Sequence, residues 1–413
     1  YKYAYNIIDS NKYIYSKGDY IMSYKYLLDI ALILLSTKLL GLITRKFNLP
    51  QVVGALIAGV ILGPSVLNIL QETDFISMMA ELGVIVIMFT AGLESDITQL
   101  KNTGKDSLII ATFGVLIPLV GGTVVAYIFN DGSLTTVSSI LQNVFIGAIL
   151  TATSVSITVE ALRELGKLSE KTATAILGSA IIDDILGILV LTIITSIADK
   201  SVNVGIVFLK IFSFFIFALI IGYLVYVIFD KWISKYDIDK RRFVIVSFVI
   251  CLLLSFSAEE FFGVADITGA YIAGLVLSSN KETIYITKRF ETLSYILLSP
   301  VFFASVGLNV KLPDLNGEIV IITIALIVVA ILTKIIGCGL GAKLCGYNNM
   351  ESIQIGSGMI TRGEVTLIIA SKGLALGLMS SYFLTPVILM VVFTSIFTPI
   401  LLKNVFSKDK SSV

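Results

Sequence analysis

The sequence predicts an all-α integral membrane protein of about thirteen spanning helices, arranged as an inverted-topology repeat. Three observations lead there: the composition, the spacing of apolar runs against the Lys and Arg between them, and one motif that recurs at a fixed offset. Of the 413 residues, 56% are hydrophobic and only 14% charged, against roughly 25% charged in soluble domains. Mean hydropathy is +0.95. With 30 Lys and Arg against 29 Asp and Glu, and no basic cluster with interleaved aromatics, nothing points to nucleic acid. His is absent, so any pH response has to come from carboxylates or lysines. Cys251, Cys338 and Cys345 lie within or at the ends of apolar segments without metal-ligand spacing and read as packed thiols.

Residues 1–21 are rich in Tyr and Lys and unlike a cleavable signal, so they read as an N-terminal extension of unknown origin ahead of Met22. Breaking the chain at charges, Pro and Gly clusters then leaves candidate spans near 26–44, 51–69, 76–93, 107–129, 138–160, 172–198, 204–229, 242–258, 264–279, 290–308, 318–342, 351–370 and 382–402. The second and ninth are short. Counting the loops alternately puts nineteen Lys and Arg on one side and only Lys200, Lys311 and Lys372 on the other. By the positive-inside rule the N-terminus is then outside and the C-terminus, with a tail over 406–413, cytoplasmic.

The repeat is carried by Gly54-Ala55-Leu56-Ile57-Ala58-Gly59 in span two, which aligns with Gly269-Ala270-Tyr271-Ile272-Ala273-Gly274 in span nine, and by Gly92-Leu93 against Gly307-Leu308; both share an offset of 215 residues. Seven spans separate the copies, and an odd number reverses their orientation. Such repeats place a binding site at the midplane between broken helices. Span five is weakened by Thr151-Ala152-Thr153-Ser154-Val155-Ser156-Ile157-Thr158, and its symmetry mate, span twelve, by Gly356-Ser357-Gly358-Met359-Ile360-Thr361-Arg362-Gly363-Glu364. Unwound backbone at this depth is tolerated only inside protein or along a cavity. Thr151, Thr153 and Ser154 are therefore candidate cation ligands, unless their hydroxyls only bond between helices.

Asp183 and Asp184 stand together in a long apolar run of span six, 172–198. A carboxylate there is costly unless it meets water, a cation or a proton, which makes a functional role the first hypothesis and a helix-bracing ion pair the second. Lys334, in Ile331-Leu332-Thr333-Lys334-Ile335, is the natural partner for one of them. Adjacent helical residues point about 100° apart, so one Asp can pair with Lys334 while the other faces an ion path. Arg362 and Glu364 read as stabilisers of the broken segments. Proton and cation competing for the same carboxylates suffices for exchange, if the site crosses the membrane only when its charge is compensated. An aspartyl protease would need two carboxylates sharing one proton, whereas neighbours on one helix diverge. A sodium-coupled symporter of a small organic anion, using Arg362 as a contact, is the alternative.

At these residues the chain resembles the monovalent cation/proton antiporters, in particular the second large family of that superfamily. The resemblance runs from Met22 to about Lys403, through Leu82-Gly83-Val84 to Gly92-Leu93-Glu94, Ala152-Thr153-Ser154-Val155, Asp183-Asp184, Phe303-Ala304-Ser305-Val306-Gly307, Lys334 and Thr361-Arg362-Gly363-Glu364. It implies two crossed discontinuous helices in a core over 76–198 and 290–402. That core moves against a dimerising scaffold over 24–69 and 242–279, with a linking helix at 204–229. It also implies that Asp184 and Asp183 bind the ion and carry the proton, that Asp183 alternates between Lys334 and the site, and that Arg362 and Glu364 steady the crossing. The expected cargo is Na+, with K+ or Li+ as alternatives, in electrogenic exchange by a homodimer in the plasma membrane. No cofactor and no enzymatic activity are expected.

Overall fold

The computed structural model describes residues 10–47, 49–130, 137–198, 203–235, 240–309 and 317–407. Residues 1–9 of the expected extension, the tail from 408, Lys200 and Lys311 lie outside them. The described residues form α1 (Ser10–Lys46), α2 (Gln51–Leu62), α3 (Asp74–Glu94), α4 (Ile97–Phe129), α5 (Val137–Ile149) and α6 (Val155–Glu164). There follow α7 (Lys171–Ala198), α8 (Val204–Lys235), α9 (Arg241–Phe262), α10 (Asp266–Leu277) and α11 (Thr283–Leu293). The last five are α12 (Ser299–Leu308), α13 (Gly317–Leu344), α14 (Asn349–Gly358), α15 (Glu364–Ala375) and α16 (Leu384–Ser407). Among the described residues, nine helical stretches are long and apolar enough to cross a membrane. One of them, Thr283–Leu308, joins α11 to α12 through a π-helical turn at Ser294–Leu298. At twelve residues each, α2 and α10 rise only about 18 Å.

The repeat is visible as two pairs of glycine contacts that mirror each other. A Cβ on Gly59 of α2 would meet the Ala304 carbonyl oxygen at 2.1 Å, and one on Gly307 of α12 the Leu56 carbonyl oxygen at 2.5 Å. In the other copy a Cβ on Gly274 of α10 would meet the Phe89 carbonyl oxygen at 2.2 Å, and one on Gly92 of α3 the Tyr271 carbonyl oxygen at 2.2 Å. Small residues let helix backbones approach where lipid supplies no hydrophobic drive. Each half thus lends a helix to the other: α2 packs on α12, and α10 packs on α3. Gly54 against Leu40 and Gly41, and Gly269 against Leu254 and Ser255, repeat the symmetry at the α1–α2 and α9–α10 contacts.

Of the stretches expected in the core, 76–93 and 290–308 pack on helices of the expected scaffold. α3 lies mainly on α10, and α12 on α2, because the glycines that seat them are those of the scaffold motif. Around the two broken spans stand α4, α7, α13 and α16: α4 packs on α5, α7 and α13, and α13 on α14 and α16.

Candidate ion site at the helix crossing

Span five breaks at residues 150–154, between α5 and α6, and span twelve at 359–363, between α14 and α15. The two breaks are stitched to one another. Ser154 donates its backbone N–H to the Thr361 carbonyl at 2.8 Å, and the Thr158 hydroxyl donates to the Gly358 carbonyl at 2.8 Å. Gly363 permits the approach, since a Cβ there would lie 2.5 Å from the Ser154 Oγ.

A half-helix ending inside the membrane leaves carbonyls without partners and a partial negative charge. Arg362 answers both breaks. Fully buried, it donates from one guanidinium nitrogen to the Leu150 carbonyl at 2.6 Å, and from the other to the Met359 carbonyl at 3.4 Å. Its own backbone is held by α16, the Thr394 hydroxyl accepting its N–H at 3.3 Å and the Ser395 hydroxyl donating to its carbonyl at 2.7 Å. The guanidinium is thereby directed at helix ends, which removes the contact on which an organic-anion symporter rested. Glu364 opens α15; its side chain lies outside the described residues.

Asp183 sits beside this crossing. Lys334 of α13 donates to its Oδ1 at 2.7 Å, and the Thr153 hydroxyl of the first break to its Oδ2 at 2.7 Å. Asp183 is 1% and Lys334 0% exposed. Gly114 of α4 lies next to the pair and makes room for Cys338, whose Sγ would stand 2.5 Å from a Cβ there. Helix geometry left open which aspartate Lys334 would bond, and its bond is to Asp183. Asp184, one position on and so about 100° around α7, is half-buried.

The three candidate hydroxyls separate. Thr153 reaches Asp183. Thr151 donates to the Ala148 carbonyl at 2.7 Å, closing the last turn of α5, and the Ser154 hydroxyl meets that of Ser156 at 3.3 Å. Sequence reasoning did not single out Thr158, Thr394, Ser395 or Gly114. Only Thr158 carried a signal, its place in the hydroxyl-rich run.

Residues 31–408 match the family described as sodium/hydrogen exchanger, transmembrane. The chain is 38% identical over 395 residues to the Na(+)/H(+)-K(+) antiporter GerN of Bacillus cereus, covering 94% of this chain and 99% of that protein. It is 34% identical over 385 residues to a Na(+)/H(+) antiporter of Enterococcus hirae, covering 91% and 96%. Among solved structures, the sodium proton antiporter MjNhaP1 from Methanocaldococcus jannaschii superposes with a TM-score of 0.67 at 19% identity, covering 94% of this chain and 97% of that one. With the family matched along nearly its whole length and a curated relative this similar end to end, the chain is a multi-pass membrane protein belonging to the transmembrane sodium/hydrogen exchangers.

Proposed function

We propose that this protein exchanges a monovalent cation, Na+ first with K+ and Li+ as alternatives, for protons, and that Asp184 and Asp183 are where the two compete. The observation that carries the reading is on α7: Lys334 and Thr153 bind the two oxygens of buried Asp183 inside the crossing, while its neighbour Asp184, about 100° around the helix, is only half-buried. The relatives support it, since those above bear Na(+)/H(+) or Na(+)/H(+)-K(+) antiporter in their names.

Asp184 is the main carrier. Ionised, it attracts a hard cation; protonated, it cannot, so each species displaces the other. When a cation enters, Asp183 leaves Lys334 and joins the site, and Thr153 follows as an oxygen ligand; Thr151 and Ser154 lie on the same unwound stretch. Two carboxylates and one lysine allow more proton charge than cation charge to move per cycle, which makes the exchange electrogenic. The moving part is 97–198 with 317–402, sliding against a scaffold of 24–94 and 241–308 through which two copies pair, with 204–235 as the link. Arg362, aided by Glu364, keeps the crossing rigid while it moves. The chain resides in the plasma membrane with its N-terminus outside.

The test is proton movement in proteoliposomes followed with a pH-sensitive dye on pulses of Na+, K+ or Li+, with and without a clamped potential. Flux that depends on the cation and on voltage supports the reading. Absence of flux with all three removes it.

A further inference from the structure

The last turn of α6 carries two adjacent residues that the ion site does not use. Arg163 reaches α3, its Nε 3.2 Å from a Glu94 oxygen and its second guanidinium nitrogen 2.9 Å from the Thr90 hydroxyl. Glu160, one turn back on α6, holds the third nitrogen at 2.7 Å. Glu164 reaches α2 instead: its carboxylate accepts the backbone N–H of Gln51 at 2.6 Å and of Val52 at 3.1 Å. Those are the first two amides of α2, whose N-cap position is Pro50 with no side-chain cap of its own. A helix N-terminus left without an acceptor is destabilised. The cap is therefore supplied from another element.

The symmetry mate draws its cap from nearer by: Glu259 of the adjoining helix α9 accepts the Asp266 backbone N–H. At the offset of 215, Gln51 corresponds to Asp266. Asp266 opens α10 with its own carboxylate, which accepts the Ile267 N–H at 2.7 Å. Gln51 carries no carboxylate, and α2 takes Glu164.

Resting on the antiport reading above, we propose that Arg163 and Glu164 form a clasp between the ion-carrying half-helix α6 and the scaffold helices α2 and α3, one that has to open in every transport cycle. The residues touch no ion; they position α6, and through it the crossing. Sliding α6 by a few ångströms breaks the two hydrogen bonds from α2 amides and the ion pair to Glu94 together, because both residues sit on a single helical turn.

The test is to trap the contact reversibly in the full chain reconstituted in liposomes. With Cys345→Ser to remove the one cysteine that is not buried, Gln51→Cys and Glu164→Cys are joined by a short methanethiosulfonate cross-linker. Cation-driven proton flux should fall at least tenfold on cross-linking and return on reduction, with the cation affinity of the reduced protein within twofold of the parent. A second pair, Thr90→Cys with Arg163→Cys, is read in the same way should the first not fold. The control pair Asn130→Cys with Asn143→Cys, whose side chains meet at 3.1 Å between α4 and α5, stays within the moving part and should leave flux unchanged when cross-linked. A fully cross-linked clasp that transports at the parent's rate overturns the proposal, and so does a loss that reduction fails to reverse. No flux in the unsubstituted chain is a different failure: it removes the antiport reading itself.

Discussion

Lys334 donates to Asp183 at 2.7 Å across 151 residues of sequence, with neither side chain exposed by more than 1%. Removing one partner of such a pair strands a buried charge at a cost of roughly 3–5 kcal/mol, whereas removing both together can be nearly neutral. Asp183→Asn and Lys334→Gln should therefore each lower the unfolding temperature in detergent, and the double variant should recover most of the loss. Thermal unfolding of the four proteins checks this, and additive losses would count against the pair.

Asp184→Asn should reduce cation-driven proton flux at least a hundredfold while leaving the unfolding temperature within a few degrees of the parent. Liposome flux and thermal unfolding on the same preparation separate lost chemistry from lost fold. Full transport in this variant would shift the carrier role to another group.

Arg362→Met should cost roughly 2–4 kcal/mol, since it leaves the Leu150 and Met359 carbonyls buried without donors. Arg362→Lys should restore only part of that, because one ammonium cannot reproduce a planar fork aimed at two helix ends. Comparison of unfolding temperatures decides, and equal stability of the Lys variant and the parent would refute the double contact.

Glu164, which lies beyond the apolar part of span five, gives a pH prediction. Burial of its carboxyl end pushes its pKa up from 4.5 to about 7, and Glu160 adds to this; bonds from Gln51 and Val52 and the charge of Arg45 hold it down. Water at the exposed part of the side chain moderates the rise. The clasped state therefore binds the proton more tightly than a released, solvated one. Its advantage is full below about pH 4.5 and is lost as pH rises through about 7. Protection of the Gln51 and Val52 amides from hydrogen exchange, corrected for intrinsic rate, should fall between pH 5 and pH 8. In Glu164→Gln it should not change with pH.

Gly59→Ala should destabilise the α2–α12 contact by about 1–3 kcal/mol or more, because its methyl group meets backbone rather than a movable side chain. Gly104→Ala, on α4 with open space around its Cβ position, should be neutral to stabilising. Unfolding temperatures in opposite order would overturn this reading of the glycines.

Much of the site was legible because charge in a membrane demands a partner. Asp183, Asp184 and Lys334 are conspicuous in apolar runs, and the helical angle between neighbours limits Lys334 to pairing with one of them. The breaks were legible from hydroxyls in one copy and glycines in the other. The partners of α3 and α12 were not, since an apolar helix reads the same whichever bundle it joins; the information lay in Gly92 and Gly307, which are too short a motif to say whom they touch. Arg163 was one of the nineteen loop Lys and Arg and Glu164 carried no reading at all, because capping of one helix by a residue more than a hundred positions away leaves no local pattern. Arg362 was conspicuous as a charge in a glycine-rich break, but its carbonyl partners are backbone atoms that no sequence pattern names.

The exchange of helices between the two halves bears on how the protein is made. Until α12 is synthesised, the Gly59 side of α2 has no helix to receive it, and the Gly92 side of α3 waits in the same way for α10. A ribosome that releases the first six spans into the bilayer releases an unfinished object. Its short, close-fitting segments have to be kept apart from other proteins until the second half arrives. Assembly is then a late event that depends on the whole chain, and truncation after the first copy should yield a fragment that quality-control proteases remove.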